Sequence, residues 1–60
     1  MKNSELIKRL RDAGCVLSRR GSGHDKWVNP KTGIFDFVPR HRGEVPTGTA
    51  QSILKNLVGE

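Results

Sequence analysis

The sequence predicts an α+β protein of two layers, with the element order helix, strand, strand, strand, helix. Three observations predict it: apolar residues recur at helical spacing near both ends, three short strand-like segments lie between them, and glycine- or proline-containing turns separate these segments. Because the turns are short, a three-stranded antiparallel sheet is the economical arrangement, with both helices covering one face. At 60 residues the chain is expected to form one small domain, residues 1–60, with a compact core.

The first helix is expected near the N-terminus and should end before Gly14. Asn3 or Ser4 can cap it, and Glu5 places a negative charge in its first turn. Gly14 supplies the left-handed residue that commonly follows a helix. The apolar side chains at helical spacing are Leu6, Ile7, Leu10 and Ala13.

The second helix is expected near the C-terminus, after the polar loop that follows the third strand. Thr47 or Thr49 is the expected cap and Gly59 the expected stop. Its apolar positions follow the pattern of a helix that buries one face. They are Ala50, Ile53, Leu54, Leu57 and Val58.

Three strands are predicted between the helices, over residues 15–20, 24–29 and 34–38. The turn Gly21-Ser22-Gly23 joins the first two strands, and a loop with an early proline and a late glycine joins the last two. Pro39 is expected to end the third strand, because proline cannot donate a ladder hydrogen bond.

Side chains of a strand alternate between two faces, and this alternation sorts the second strand. His24, Lys26 and Val28 share one face, and Asp25, Trp27 and Asn29 share the other. Trp27 could stack on a nucleic-acid base, but core packing is favoured because it points away from His24 and a small domain needs its large residues inside. In the third strand, the pattern leaves open whether Phe35 and Phe37 or Ile34 and Val38 are buried.

The charge distribution predicts a polyanionic partner. The net charge is +5, and the isoelectric point is near 10.2. Residues 19–42 carry six cations against Asp25 and Asp36, which leaves a net charge of +4 in this segment. Extra cations can serve solubility alone, but arginine, whose planar fork matches phosphate, predominates here. The six cations are Arg19, Arg20, Lys26, Lys31, Arg40 and Arg42.

The cysteine content excludes disulfide-stapled folds. Cys15 is the single cysteine, and no cysteine and histidine cluster has zinc-finger spacing, so no metal site is expected. Because apolar residues follow it, Cys15 is expected to be a small buried hydrophobe and not a reactive thiol. No secretory signal or long apolar run is present, so the sequence predicts a cytoplasmic protein without a membrane partner.

A basic turn segment that contains two glycines, residues 19–27, places His24 at the start of the second strand. One imidazole beside several cations is unsuited to binding a metal ion, but it is suited to proton transfer at a phosphate ester. RNA cleavage of this kind requires no cofactor, because the ribose 2′-OH is an internal nucleophile close to the phosphorus. A lone turn histidine is, however, more often a solvated surface residue than a catalyst. By themselves these residues support nucleic-acid binding.

Three motifs make the whole chain resemble the HicA-type toxins, the small RNA-cleaving members of type II HicA/HicB toxin-antitoxin pairs. The first is the glycine-rich turn into His24, with Trp27 three residues later and Pro30 closing the strand. The others are VPRH over residues 38–41, and EVPTGT over residues 44–49 running into SILK over residues 52–55. The chain departs from many family members, which have two adjacent histidines where this sequence has His24 and Asp25.

The resemblance implies a fold similar to a double-stranded-RNA-binding domain (dsRBD-like) and an mRNA interferase, an endonuclease that cleaves mRNA. The family's catalytic histidine falls on His24, which would act on single-stranded RNA without metal or cofactor. The implied partner is a cognate HicB-like antitoxin, which we expect to bring carboxylates to the face around His24. The residues expected to bind RNA are Lys26, Arg19, Arg20, Arg40, His41 and Arg42.

Two other functions are compatible with the sequence. A non-catalytic RNA-binding module of the same fold would use the basic face without cutting. An interaction protein would use this face to dock a protein partner, and its affinity for RNA would be absent or independent of salt. His41 is either an RNA contact or a loop residue that shapes the entry to the second helix.

Overall fold

The computed structural model describes residues 1–40 and 43–59 and confirms the predicted α+β fold. Each strand lies within one residue of its predicted bounds, and the sheet is antiparallel with the order β1-β2-β3. Among the residues described, no helix is long and apolar enough to cross a membrane. The elements are α1 (Asn3–Asp12), β1 (Val16–Arg20), β2 (His24–Val28), β3 (Phe35–Pro39) and α2 (Thr47–Leu57).

A glycine follows each helix, as predicted. Gly14 and Gly59 have φ values of 93° and 83°, the left-handed conformation that glycine adopts without strain. The backbone N–H of Gly14 donates to the carbonyl oxygen of Arg11 at 2.9 Å, and that of Gly59 donates to the carbonyl oxygen of Leu54 at 3.1 Å. These bonds satisfy carbonyl groups that the last helical turn leaves open.

The predicted N-terminal caps are wrong. The capping positions are Lys2 for α1 and Pro46 for α2, and neither of these described helices has a side-chain cap. The side-chain Nδ2 of Asn3 instead donates to the carbonyl oxygen of Pro39 at 2.8 Å, which ties α1 to the end of β3. Pro46, with φ of −53° and ψ of 141°, is in an extended conformation directly before the helix that starts at the next residue. The four predicted caps, Asn3, Ser4, Thr47 and Thr49, all lie inside the helices.

An irregularity in the β1–β2 ladder decides which side of the sheet Arg19 faces. Leu17 pairs with Trp27, but the next pair is Arg19 with Lys26, so Ser18 is an extra residue in β1. Strict alternation would put Arg19 on the same face as Leu17. Because of the bulge, Arg19 lies directly opposite Lys26 and shares its face.

Both helices pack on the face of the sheet that carries Trp27 and Val38. Trp27 is 3% exposed, which confirms its predicted place in the core. Phe35 and Phe37 point to the opposite face, so the third strand buries Val38 and leaves both rings outside. The buried core among the described residues is Leu6, Leu10, Cys15, Trp27, Val38, Val45, Ala50, Ile53, Leu54 and Leu57.

Cys15 is buried between the end of α1 and the start of β1, as predicted. Its Sγ lies 3.9 Å from the carbonyl oxygen of Leu57 in α2. Burial raises the pKa of the Cys15 thiol, which disfavours the reactive thiolate. Cys15 therefore contributes to the packing of the core.

Candidate active site on the open face of the sheet

The open face of the sheet, the side opposite both helices, carries the histidine singled out by the sequence. His24 begins β2 directly after the turn at residues 21–23 and is exposed. Its side chain forms no hydrogen bond to another described residue, so the imidazole is accessible to a ligand. Strand pairing builds this face from Val16, Arg19, His24, Lys26, Val28, Phe35 and Phe37.

The turn that precedes His24 depends on a close backbone approach at Gly21. A Cβ atom at Gly21 would collide with the carbonyl oxygen of His24, whereas a Cβ at Gly23 would contact no described atom. The backbone N–H of Arg40 donates to the carbonyl oxygen of Gly23 at 3.0 Å, so the β2–β3 ladder continues into the turn. Position 21 therefore requires glycine for the turn to lead into β2 as it does.

An ion pair on the helix side of the sheet braces the same turn. Arg40 Nη2 lies 2.6 Å from Asp25 Oδ1, and its Nε lies 3.3 Å from Oδ2, a two-pronged contact. The same Nη2 donates to the carbonyl oxygen of Gly21 at 2.5 Å, and the N–H of Gly21 donates to Asp25 Oδ1 at 3.4 Å. The turn is thereby connected to the end of β3.

The carboxyl group of Asp25 is kept ionised by its surroundings. The hydrogen bond from Arg40 contributes most to holding the pKa of Asp25 below its ordinary value, and the charges of Arg40 and Arg20 act in the same direction. Desolvation opposes this effect, since the Asp25 side chain is only 15% exposed. At neutral pH the pair is therefore fully charged.

A cleft of about 250 Å³ opens beside His24 on the open face. Its lining combines cations from two strands with an imidazole and an aromatic ring, and among the described residues no carboxylate lines it. The Nζ atom of Lys26 lies 4.2 Å from the ring centroid of Phe35, a cation-π contact. A phosphate next to His24 would meet positive charge from both β1 and β2. The lining residues are Arg19, Arg20, Gly21, His24, Lys26 and Phe37.

The structure divides the predicted site residues into three groups. His24 lies in the cleft with Arg19, Arg20 and Lys26. Arg40 lies beyond the turn, on the side of the sheet that carries Asp25, and its guanidinium is bonded to that carboxylate. The remaining two, His41 and Arg42, lie outside the described residues.

Sequence reasoning missed Phe37 as a residue of the cleft. The alternation of Phe35, Asp36 and Phe37 placed both rings on one face but did not tell which face is open. Pairing of Phe37 with Lys26 settles this, because Lys26 shares the face of His24. The sequence therefore placed both rings on one face, but the strand register was required to show that this is the face of His24.

A larger cavity, of about 470 Å³, lies between α1 and α2. Arg9 and Lys55 contribute to its lining, which contains no histidine, cysteine or carboxylate among the described residues. Within residues 1–40 and 43–59, no group of three or more histidine, cysteine or acidic residues could hold a metal ion. Of these two cavities, the cleft beside His24 is the one whose described lining combines an imidazole with phosphate-binding charge.

Comparison with known proteins identifies the family. A model described as the HicA toxin of bacterial toxin-antitoxin systems matches residues 4–57, a range that includes every strand and the turn into His24. Searches of curated proteins and of solved structures gave no match. The family consists generally of RNase toxins, and membership implies a cognate antitoxin. The match confirms the resemblance seen in the sequence motifs, and the chain belongs to the HicA toxin family of bacterial toxin-antitoxin systems.

Proposed function

We propose that this chain is the toxin of a type II toxin-antitoxin pair and acts as an mRNA interferase, an endonuclease that cuts single-stranded mRNA in the cytoplasm. The observation that carries the proposal is the exposed imidazole of His24 in a cleft with Arg19, Arg20 and Lys26. Cleavage by the ribose 2′-OH requires a group that transfers protons and cations that hold the phosphate.

In the proposed reaction, the 2′-OH attacks the adjacent phosphorus and the bond from phosphorus to the 5′-oxygen of the next nucleotide breaks. His24 accepts the proton of the 2′-OH or delivers a proton to the leaving oxygen. Lys26 and Arg19 offset the negative charge that builds on the non-bridging oxygens. The products are a 2′,3′-cyclic phosphate and a 5′-hydroxyl, and no cofactor enters this balance.

A second histidine beside His24 is not available, because position 25 is Asp25. Its carboxylate is bonded to Arg40 on the helix side of the sheet and does not face the cleft. In this proposal the complementary proton is exchanged with water, Lys26 or His41. Asp25 has a positioning role in this proposal, since with Arg40 it holds Gly21 and the turn that presents His24.

The basic residues are proposed to bind the RNA backbone. Arg19, Arg20 and Lys26 act in the cleft itself, and Arg40 adds positive charge on the other side of the turn. His41 and Arg42 are further proposed contacts, on the sequence alone. A HicB-like antitoxin is proposed to inhibit the enzyme by covering His24 and by bringing carboxylates to these cations. The same charges would then serve the substrate and the inhibitor.

The test compares the wild type with His24→Ala on a single-stranded mRNA in excess EDTA. The wild type is expected to cleave, and the variant to be slower by about 100- to 10,000-fold, the usual contribution of a general acid or base. Because His24 is exposed, the variant should keep its thermal melting temperature. Because Arg19, Arg20 and Lys26 remain, it should still bind RNA.

Two results would contradict the proposal. Equal cleavage by both proteins would show that the reaction does not use the imidazole of His24. Salt-dependent RNA binding by both proteins with no cleavage by either would make a non-catalytic RNA-binding module the better account.

A further inference from the structure

Two of the three aromatic side chains lie on the open face instead of in the core. Phe35 and Phe37 are 48% and 54% exposed, and Trp27 is the only other aromatic residue in the sequence. The two ring centroids are 6.0 Å apart with an interplanar angle of 84°, an edge-to-face pair. Leaving these rings in water forgoes the free energy of burying them. A ligand that covers the rings would recover it.

Phe37 belongs to the same cleft as His24. It pairs with Lys26 across the β2–β3 ladder, and His24 pairs with Pro39, two residues further along β3. Phe37 and His24 therefore occupy diagonal positions on one face, about 7 Å apart. A nucleotide whose phosphate lies at His24 can place a neighbouring base over the ring of Phe37.

The charges around the rings favour a nucleobase over an apolar protein segment. Cations line the cleft, and its described lining contains no carboxylate. Exposed aromatic rings interleaved with cations bind the bases and the phosphates of a single strand together. The ammonium group of Lys26 lies over the ring of Phe35, and Phe37 has the larger exposed fraction. Phe37 is therefore the better placed ring for stacking.

We propose that Phe37 stacks on a nucleobase of single-stranded RNA beside the phosphate held at His24, and that Phe35 keeps Lys26 and the Phe37 ring in position. The inference rests on the proposed nuclease function and adds a base subsite to it. Stacking on a side chain requires an unpaired base whose face is accessible. The subsite would therefore favour single strands over duplexes without demanding one base sequence.

The test uses His24→Ala as the parent, so that the RNA stays intact, and adds Phe37→Leu or Phe35→Leu. Leucine keeps an apolar side chain without an aromatic face, and thermal melting verifies that each variant is folded. Fluorescence anisotropy with a short single-stranded RNA measures the affinity over a range of salt concentrations. Phe37→Leu is expected to weaken binding by about five- to 100-fold, and Phe35→Leu is expected to have the smaller effect.

Two matched measurements separate stacking from charge. Phe37→Leu should leave the slope of log K against log salt unchanged, whereas Lys26→Gln should reduce its magnitude by about 0.7 for one lost phosphate contact. An RNA that lacks bases should bind Phe37→Leu and its parent equally. Phe37→Trp, which retains an aromatic face, should bind the base-containing RNA at least as well as the parent.

Equal affinity of Phe37→Leu and its parent for base-containing RNA would overturn the stacking proposal, and cleavage by the wild type would then leave the nuclease proposal standing. Weaker binding by Phe37→Leu together with no cleavage by the wild type would support stacking and reject the nuclease. If Phe37→Leu lost affinity for the cognate antitoxin but not for RNA, the rings would be a protein contact and the proposal would be wrong.

Discussion

The two ends of β2 are held by different chemistry. At the end that meets α2, the side chain of Asn29 is buried and both of its polar atoms are bonded. Its Nδ2 donates to the carbonyl oxygen of Leu57 at 2.8 Å, and its Oδ1 accepts from the backbone N–H of Lys31 at 3.0 Å. This end is therefore part of the core and of the loop that follows.

At the opposite end, the side-chain hydrogen bonds given by the described residues lie on the helix side of the strand. Asp25 and Arg40 brace the turn from the helix side, and His24 projects from the open face. An ion pair near the surface adds little to global stability. At this end of the strand, the pair therefore fixes the conformation of the turn and contributes little to the free energy of unfolding. The difference shows how one short strand can anchor the fold at one end and present a reactive group at the other. Stability and activity should then respond to different substitutions.

Among the substitutions that compare the two ends of β2, the largest expected effect is the loss of cleavage in Gly21→Ala, by about 100-fold, the scale that a misplaced catalytic group can produce. The new Cβ would collide with the carbonyl oxygen of His24, so the turn must shift. Gly23→Ala is the matched control, because a Cβ there contacts no described atom. Initial cleavage rates measure both variants. A comparable loss in the control would show that His24 does not depend on the approach at Gly21.

Asn29→Ala tests the other end of β2. It is expected to lower the free energy of unfolding by about 2 kcal/mol, because the buried carbonyl group of Leu57 loses its amide donor. Urea denaturation measures this change. Cleavage per folded molecule should stay near the wild-type value. A large loss of cleavage in fully folded Asn29→Ala would mean that the two ends do not act separately.

The smallest expected effect is a pH dependence at the turn. Because the pKa of Asp25 is lowered in the folded protein, the unfolded state binds more protons between the two pKa values. The stabilisation by the pair is therefore complete above the ordinary aspartate pKa of about 3.9 and is lost as pH falls through the folded pKa. NMR titration of Asp25 and of the Gly21 amide measures this transition.

Arg40→Gln provides the control for this titration. Without the guanidinium, the pKa of Asp25 should rise toward its ordinary value, and the amide of Gly21 should exchange faster at neutral pH. The signals of Asn29 should not follow the same transition, since no ionised group bonds to its side chain among the described residues. An unchanged Asp25 titration in Arg40→Gln would show that the pair does not hold the turn in solution.

Most of the fold could be predicted because it follows from local periodicity. Apolar spacing placed the helices, and alternation placed Trp27 inside and His24 outside. The helix caps could not be predicted in this way, because local rules do not include hydrogen-bond partners that are distant in sequence and compete for the capping side chain. Asn3 is a good capping residue, yet its side chain bonds to the carbonyl oxygen of Pro39, far away in sequence.

The candidate site could be predicted in part. Alternation placed Lys26 on the face of His24, but it could not place Arg19 there, because the bulge at Ser18 shifts the register of β1. The contact of Arg40 with Asp25 also depends on strand pairing, since β3 must return beside β2 before the two side chains meet. Local sequence identifies the candidate groups, and the register decides which of them meet.

The most direct test of the central claim, that His24 promotes attack by the 2′-OH, uses an RNA with one 2′-deoxynucleotide at a mapped cleavage position. In excess EDTA, the wild type should cut the all-RNA strand to a 2′,3′-cyclic phosphate and leave the modified linkage intact. His24→Ala should cut neither strand at a comparable rate. Cleavage of the modified linkage by the wild type, or products that carry a 5′-phosphate, would contradict the mechanism.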